Sequence, residues 1–420
     1  AQSAWEDKDP DAAYITIAPM HLREAFWAKL SRPIQGIMYH GWQSLLPGKV
    51  PYAYRYTHPQ TQHELRRLVH EVIQPLGPTL KQIPDRPSDI AYLQSFASQM
   101  FARRGTYGWN YRWNGDGYLV LQYAQLQPEI VYEESIQRDG LTRFKMLVLF
   151  DCDVLTASIA NQIREFQKGG GLVIGDENLA PGIKADLTIR SFARSKKADE
   201  AKAQLLQKAS QLKQLLMGRY QRFVESDNPE VITRARRFGT SDYIFAINDH
   251  RTFGTYVGQH GLVQEDGLPS TARIHVRRKT GHVYDLLASR KVVQVELDSG
   301  IAIDTRLGPA EGQLFLIANQ PIARVAISGG KTCARGNRFD LSIRIESAEG
   351  LPLSAIIPLR LDIRDSTGRE MEFSGYYGAR DGQLRITADV APNDETGLWE
   401  IRATELASGQ TARHYVQVTP

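Results

Sequence analysis

The sequence predicts an α/β plus β protein. It should open with βα units, continue into a doubly wound parallel-sheet domain of flavodoxin-type order, and end in two β-sandwich-like modules. Three observations carry this. Apolar runs alternate with helical patterns through the first half of the chain. Lys145 to Phe150 is a nearly continuous apolar run, as a parallel strand covered on both faces requires. Beyond Pro229 helical periodicity gives way to short strands separated by Gly, Asp and Asn turns.

In residues 1–88, Tyr14 to Ile17 reads as a strand and His21 to Leu30 as a helix with Leu22, Ala25, Phe26 and Leu30 at helical spacing. Ile34 to Tyr39 reads as a second strand running into His40-Gly41-Trp42. A helix over Thr61 to Ile73 follows, stopped by Pro75 and Pro78. Residues 89–228 restart the alternation, with strands at Ile90 to Leu93, Glu129 to Ser135, Lys145 to Phe150 and Leu172 to Ile174. Helices are expected over Tyr118 to Leu126, over a Thr156-capped segment ending at Gly169-Gly170-Gly171, and over Ala198 to Glu225. Residues 229–330 hold strands near Tyr243–Ile247, Ala272–Val276, Val292–Leu297 and Leu314–Ile317. In residues 331–420 strict alternation at Phe339, Leu341, Ile343 and Ile345, and again at Leu359, Leu361 and Ile363, argues a β-sandwich closed by Tyr415 to Val418.

Composition excludes several classes. Of 420 residues 42% are hydrophobic and 23% charged, which is globular usage. The two cysteines, Cys152 and Cys333, are too few for a disulfide framework or a four-cysteine zinc site. A net charge of +4 is far from the field of a dedicated nucleic-acid binder, and no apolar stretch reaches the length of a membrane helix. No nucleic-acid or membrane partner is expected. The chain opens at Ala1 without methionine, so it is expected to be a processed form or a piece of something longer.

Tyr39, His40 and Trp42 stand at the expected carboxyl end of a strand, with Tyr52, Tyr54 and Tyr56 beyond; such aromatics suit stacking on sugar rings or simply pack a loop. Cys152 lies just past the strongest strand, where a nucleophile could stand. Its flanks are Asp151 and Asp153, which would raise the thiol pKa, and no glycines relieve the turn. The triple glycine follows a helix and precedes a strand, so it reads as a helix terminus and not a phosphate loop. Asp176 and Glu177 sit at a strand end, but adjacent carboxylates point apart. The basic residues Arg190, Arg194, Lys196, Lys197, Arg234, Arg236 and Arg237 read as a solvated face. His21, His58, His63 and His70 show no metal spacing, so neither metal nor cofactor is expected.

The run Leu30 to Trp42 resembles the last barrel strand of family-42-type β-galactosidases and their uncharacterised bacterial relatives, with Ala25-Phe26-Trp27 matching the preceding element. Thr61 to Pro78 resembles the closing helix of that (TIM-type) barrel. Residues 89–195 are similar to the amidotransferase-like trimerisation domain that follows it, best over Arg143 to Ile174. The later residues resemble the family's β domains, the last ninety or so being immunoglobulin- or macroglobulin-like. The resemblance implies the C-terminal portion of a secreted or periplasmic glycoside hydrolase acting on galactosides or polysaccharide-derived sugars, and a homo-oligomer, in the family a trimer. Retaining hydrolases of this kind use two carboxyls. The acid/base position has no counterpart here, and Glu6 and Glu24 match no nucleophile motif, so no catalytic residue is carried over. Tyr39, His40 and Trp42 are expected at the rim of the sugar site. The rival expectation is a non-enzymatic carbohydrate-binding or oligomerisation scaffold.

Overall fold

The computed structural model describes residues 18–38, 59–102, 113–257 and 262–420. They form two compact units. One is Pro87–Ile232; the other joins the described residues up to Arg86 to Thr233–Pro420.

The Pro87–Ile232 unit is built on five parallel strands, β1 (Ile90–Leu93), β2 (Glu129–Val131), β3 (Met146–Leu149), β4 (Leu172–Gly175) and β5 (Leu187–Thr188), in the order β2-β1-β3-β4-β5. That is the doubly wound order with its reversal between β1 and β3. Alternate side chains serve opposite faces. Tyr92, Met146, Val148 and Ile174 meet helices Trp113–Tyr123 and Ala198–Leu215 on one side. Leu93, Leu147, Leu149 and Val173 meet helices Glu133–Asp139 and Ala157–Lys168 on the other. The latter helix begins at Thr156, whose hydroxyl accepts from Ile159 N, and ends in a Schellman arrangement. Gly171 N reaches Phe166 O, Gly170 N reaches Gln167 O, and Gly170 takes φ +91°.

Two expectations in this unit are corrected. The segment Glu129–Ser135 is strand only to Val131, because Glu133 starts a helix whose first turn is acidic. The long helix stops at Leu215, and Gly218 at φ +73° turns the chain away.

In the other unit helix Pro19–Leu30 packs on helix Pro59–Leu68, and the chain then passes through a π-turn, Val69–Ile73, into helix Gln74–Leu80. Pro75 and Pro78 therefore do not stop the helix. The widened turn bonds Gln74 N to Val69 O and restarts the helix with Pro75 in its first turn, where a missing amide proton costs nothing. The strand expected over Ile34–Tyr39 is absent over residues 34–38, where Pro33 and Gly36 interrupt the run and Met38 is exposed. The βα repeat expected there is thus not seen among the described residues, and the strand expected at Tyr14 to Ile17 lies outside them.

Thr233–Pro420 is antiparallel apart from one parallel pair, Thr332–Ala334 with Thr411–Thr419. One five-stranded sheet runs Arg290–Val292, His282–Asp285, Gly312–Ala318, Ser241–Asn248 and Val231–Phe238 in spatial order. Val295–Leu297, Gly300–Leu307 and Ser270–Val276 pair in a further sheet, and Arg251–Val257 with Leu262–Gly267 forms a hairpin that the sequence pattern did not announce. An eight-stranded sheet curls over the remainder and begins at Arg324–Gly329, earlier than the expected boundary near 331. Phe339 and Trp399 meet edge to face in its core, 6.4 Å between centroids. Tyr243 ties the two β regions together: its hydroxyl donates to Ile356 O and accepts from Ile356 N.

Arg236 fixes the helices to this scaffold. It is 1% exposed, and its guanidinium donates to the carbonyls of Leu30, Arg32, Leu80 and Ile83, satisfying the carboxyl ends of helices Pro19–Leu30 and Gln74–Leu80. Burial pulls it down to about 10, still charged at neutral pH. The solvated basic face expected here is therefore corrected. Arg234 pairs with Asp85 at 2.6 Å and Arg237 with Asp242 at 2.7 Å, so these arginines are structural. Arg190, Lys196 and Lys197 are exposed as expected.

Candidate functional site

In an open doubly wound sheet ligands sit beyond the carboxyl ends of the strands. Among the described residues of Pro87–Ile232, the ends of β1, β3 and β4 are occupied by the protein's own side chains. β3 runs into Phe150 and Asp151, and Asp151 takes φ +54°. The strained residue is thus Asp151, one position before the cysteine, and its N–H donates to Asp176 Oδ2 at 2.8 Å. Cys152 turns inward among Leu93, Leu149 and Ile159, fully buried. Burial pushes its thiol well above the usual range, and the carboxylates of Asp176, Glu133, Asp151 and Asp153 push it further. A thiol so placed is neither ionised nor accessible at neutral pH.

Asp176, at the end of β4, is a buried acceptor for three donors. Trp113 Nε1 donates at 2.6 Å and Asp151 N at 2.8 Å to one oxygen, and Asn178 N at 2.8 Å to the other. Burial raises its pKa while these hydrogen bonds oppose the rise. It stitches the β3 and β4 termini to the first residue of helix Trp113–Tyr123. The same helix packs closely on Phe150: a Cβ on Gly117 would lie 2.3 Å from that ring. Glu177 points elsewhere, accepting from Ser191 N and Oγ, as adjacent carboxylates were expected to do.

At the β1 end the amino terminus of helix Phe96–Phe101 is also filled. Glu133 accepts from Phe96 N at 3.1 Å and from Ser95 Oγ at 2.6 Å, while Ser95 Oγ accepts from Ser98 N. A helix start beyond a strand is an anion site, and here the anion is the chain's own carboxylate. Beside this closed end lies an apolar surface: Phe96, Met100 and Tyr132 are exposed and Phe101 is 71% exposed, with Ile130 on edge strand β2 nearby.

The rim residues Tyr39, His40 and Trp42 lie outside the described residues, as do Tyr52, Tyr54, Tyr56, His58 and Glu6. His63 and His70 are exposed on helical turns, and no group of three His, Cys, Asp or Glu side chains among the described residues is arranged to hold a metal. No helix among them is long and apolar enough to cross a membrane.

Glu24 and His21 belong to a buried charge centre that the sequence did not disclose. Arg251, at the start of the hairpin, pairs with Glu24, with Asp249, and at 3.0 Å with Glu265. His21 Nε2 lies 3.3 Å from Glu265 Oε2 but makes no hydrogen bond there. Burial and then Arg251 hold the imidazole down to about 4, so it is neutral at physiological pH and the contact is not an ion pair. A second network joins Arg23, Glu64, Arg67 and Glu311. Nothing in the spacing of Glu24, Asp249 and Glu265 could have announced their meeting.

No family model matches the chain, and no curated protein matches it. Among solved structures it is similar to an α-L-fucosidase isoenzyme 2 from Paenibacillus thiaminolyticus (TM-score 0.47, 12% identity, covering 72% of this chain and 57% of that one). It is also similar to a β-galactosidase from Bacillus circulans sp. alkalophilus (0.42, 11%, 62% and 46%). A third is an exo-carrageenase of family 42 from Bacteroides ovatus (0.38, 12%, 71% and 39%). These neighbours are glycoside hydrolases, and the chain spans between 39% and 57% of their lengths.

Proposed function

We infer that the chain is the C-terminal region of a glycoside hydrolase-like protein acting on galactosides or polysaccharide-derived sugars, and that this region serves assembly and, through Tyr39, His40 and Trp42, the rim of the sugar site. One observation carries the assembly role: the strand ends of the doubly wound unit are filled by Asp176, Glu133 and an inert Cys152, while the adjoining surface exposes Phe96, Met100, Phe101 and Tyr132. A ligand-binding end whose described residues are bonded to one another, with clustered apolar surface beside it, suits self-association. The module order supports the hydrolase context, and an extracellular or periplasmic location follows from the same resemblance.

Light scattering over a concentration series tests the assembly role. A mass that is a multiple of 47.3 kDa, three being the resemblance's expectation, supports it when Met100→Glu with Phe101→Glu returns the monomer. A monomer at high concentration contradicts it. The hydrolase context is tested by assaying chromogenic galactosides with this chain and with the product of the whole reading frame. Turnover by the longer product alone is expected. Absence of turnover from both, with sugar binding retained, favours the scaffold reading.

A further inference from the structure

Helix Pro19–Leu30 meets strands Arg251–Val257 and Leu262–Gly267 through Met20, which packs against Gly267, and through the guanidinium of Arg251. Nη2 of Arg251 donates to both Glu24 and Asp249, and Nη1 donates to Glu265 Oε2 at 3.0 Å. Three carboxylates thus share one positive charge. The side chains of His21, Asp249 and Glu265 are 5%, 5% and 7% exposed, and that of Glu24 is 25% exposed. Two carboxyl oxygens bound to one nitrogen necessarily lie close together. Fully ionised, the centre would keep an excess negative charge that burial penalises.

We propose that Glu24 and Asp249 hold one proton between them over Arg251, and that its loss as pH rises through neutrality loosens the helix from the hairpin, a proton-operated latch. Burial first, and then the Asp249 charge, push the Glu24 carboxyl up to about 7 against the opposing pull of Arg251. His21 stays neutral across this range.

The other charged groups on the packed elements are engaged elsewhere. Arg23 bonds Glu64 and Pro309 O, Arg67 bonds Glu64, Glu71 and Glu311, and Asp242 on strand Ser241–Asn248 pairs with Arg237 and Arg278. His250 Nδ1 lies 3.3 Å from Pro269 O, and Asp266 is exposed. An acid whose folded pKa is raised keeps its proton when the unfolded chain has lost it, so stability falls as pH rises from about 4.5 to about 7 and is level above.

Amide hydrogen exchange on the full chain, normalised for intrinsic rates, tests the latch. Helix Pro19–Leu30 should be about tenfold less protected at pH 8 than at pH 6, with strand β3 unchanged. Glu24→Gln donates to Asp249 at any pH and should remove the difference. Equal protection of the wild-type helix at both pH values, or a tenfold loss retained in Glu24→Gln, overturns the proposal. Should that variant not fold, a carbon-13 titration of the wild-type Glu24 carboxyl decides: a midpoint near 7 sustains the latch, and one near 4.5 overturns it.

Discussion

The two units solve the problem of a buried carboxylate in opposite ways. In Pro87–Ile232, Asp176 is surrounded by neutral donors, an indole and two backbone amides, so its charge is met by dipoles fixed in the fold. In the other unit Glu24, Asp249 and Glu265 compete for Arg251, and the balance is left to a proton. The indole and amide donors around Asp176 carry no titratable proton, whereas two carboxyls over one guanidinium can share one. The first arrangement therefore makes a rigid, closed strand end. The second makes a joint whose strength depends on pH.

Substitutions at the two centres should differ in size and in pH dependence. Arg251→Met should be the most damaging, on the order of 3–5 kcal/mol at pH 8, because it leaves three buried carboxylates without a counter-charge. Urea melts at pH 5.5 should show a smaller loss, since protonation then relieves the repulsion. Asp176→Ala should cost about 3 kcal/mol by orphaning Trp113 Nε1 and the amides of Asp151 and Asn178. Its deficit should be nearly the same at pH 6 and pH 8. A deficit that tracks pH as Arg251→Met does would erase the distinction between the centres. Gly117→Ala should cost roughly 1–3 kcal/mol by driving a methyl into Phe150, measurable as a shift of the melt with the β modules unaffected. Glu24→Gln should be the mildest, within about 1 kcal/mol at pH 6, but more stable than wild type at pH 8, a crossover that melts at the two pH values would reveal.

Much of the doubly wound unit is legible in the sequence because local signals and tertiary needs coincide there. Met146–Leu149 is apolar at every position since both faces are covered, and Thr156 and Gly169–Gly171 mark a helix whose caps are satisfied within a few residues. Legibility fails where distant residues decide. Pro75 and Pro78 read as stops because nothing local foretells a π-turn. Arg236 reads as a surface charge because its acceptors, the carbonyls at Leu30 and Leu80, lie more than 150 residues away. Of the candidate residues, Cys152 could be judged from its acidic flanks alone, while Glu24 matched no motif and acquires its partners only through the fold.

An assembly role for the doubly wound unit requires its strand ends to be closed to chemistry, and the reactivity of Cys152 tests that most directly. Native protein treated with iodoacetamide at pH 7.5 and mapped by peptide mass, so that Cys333 is scored separately, should leave Cys152 unmodified over hours and label it rapidly once denatured. Fast native labelling of Cys152, rising with an apparent pKa below the ordinary thiol value, would show an open and activated thiol and would contradict the assembly role assigned to this unit.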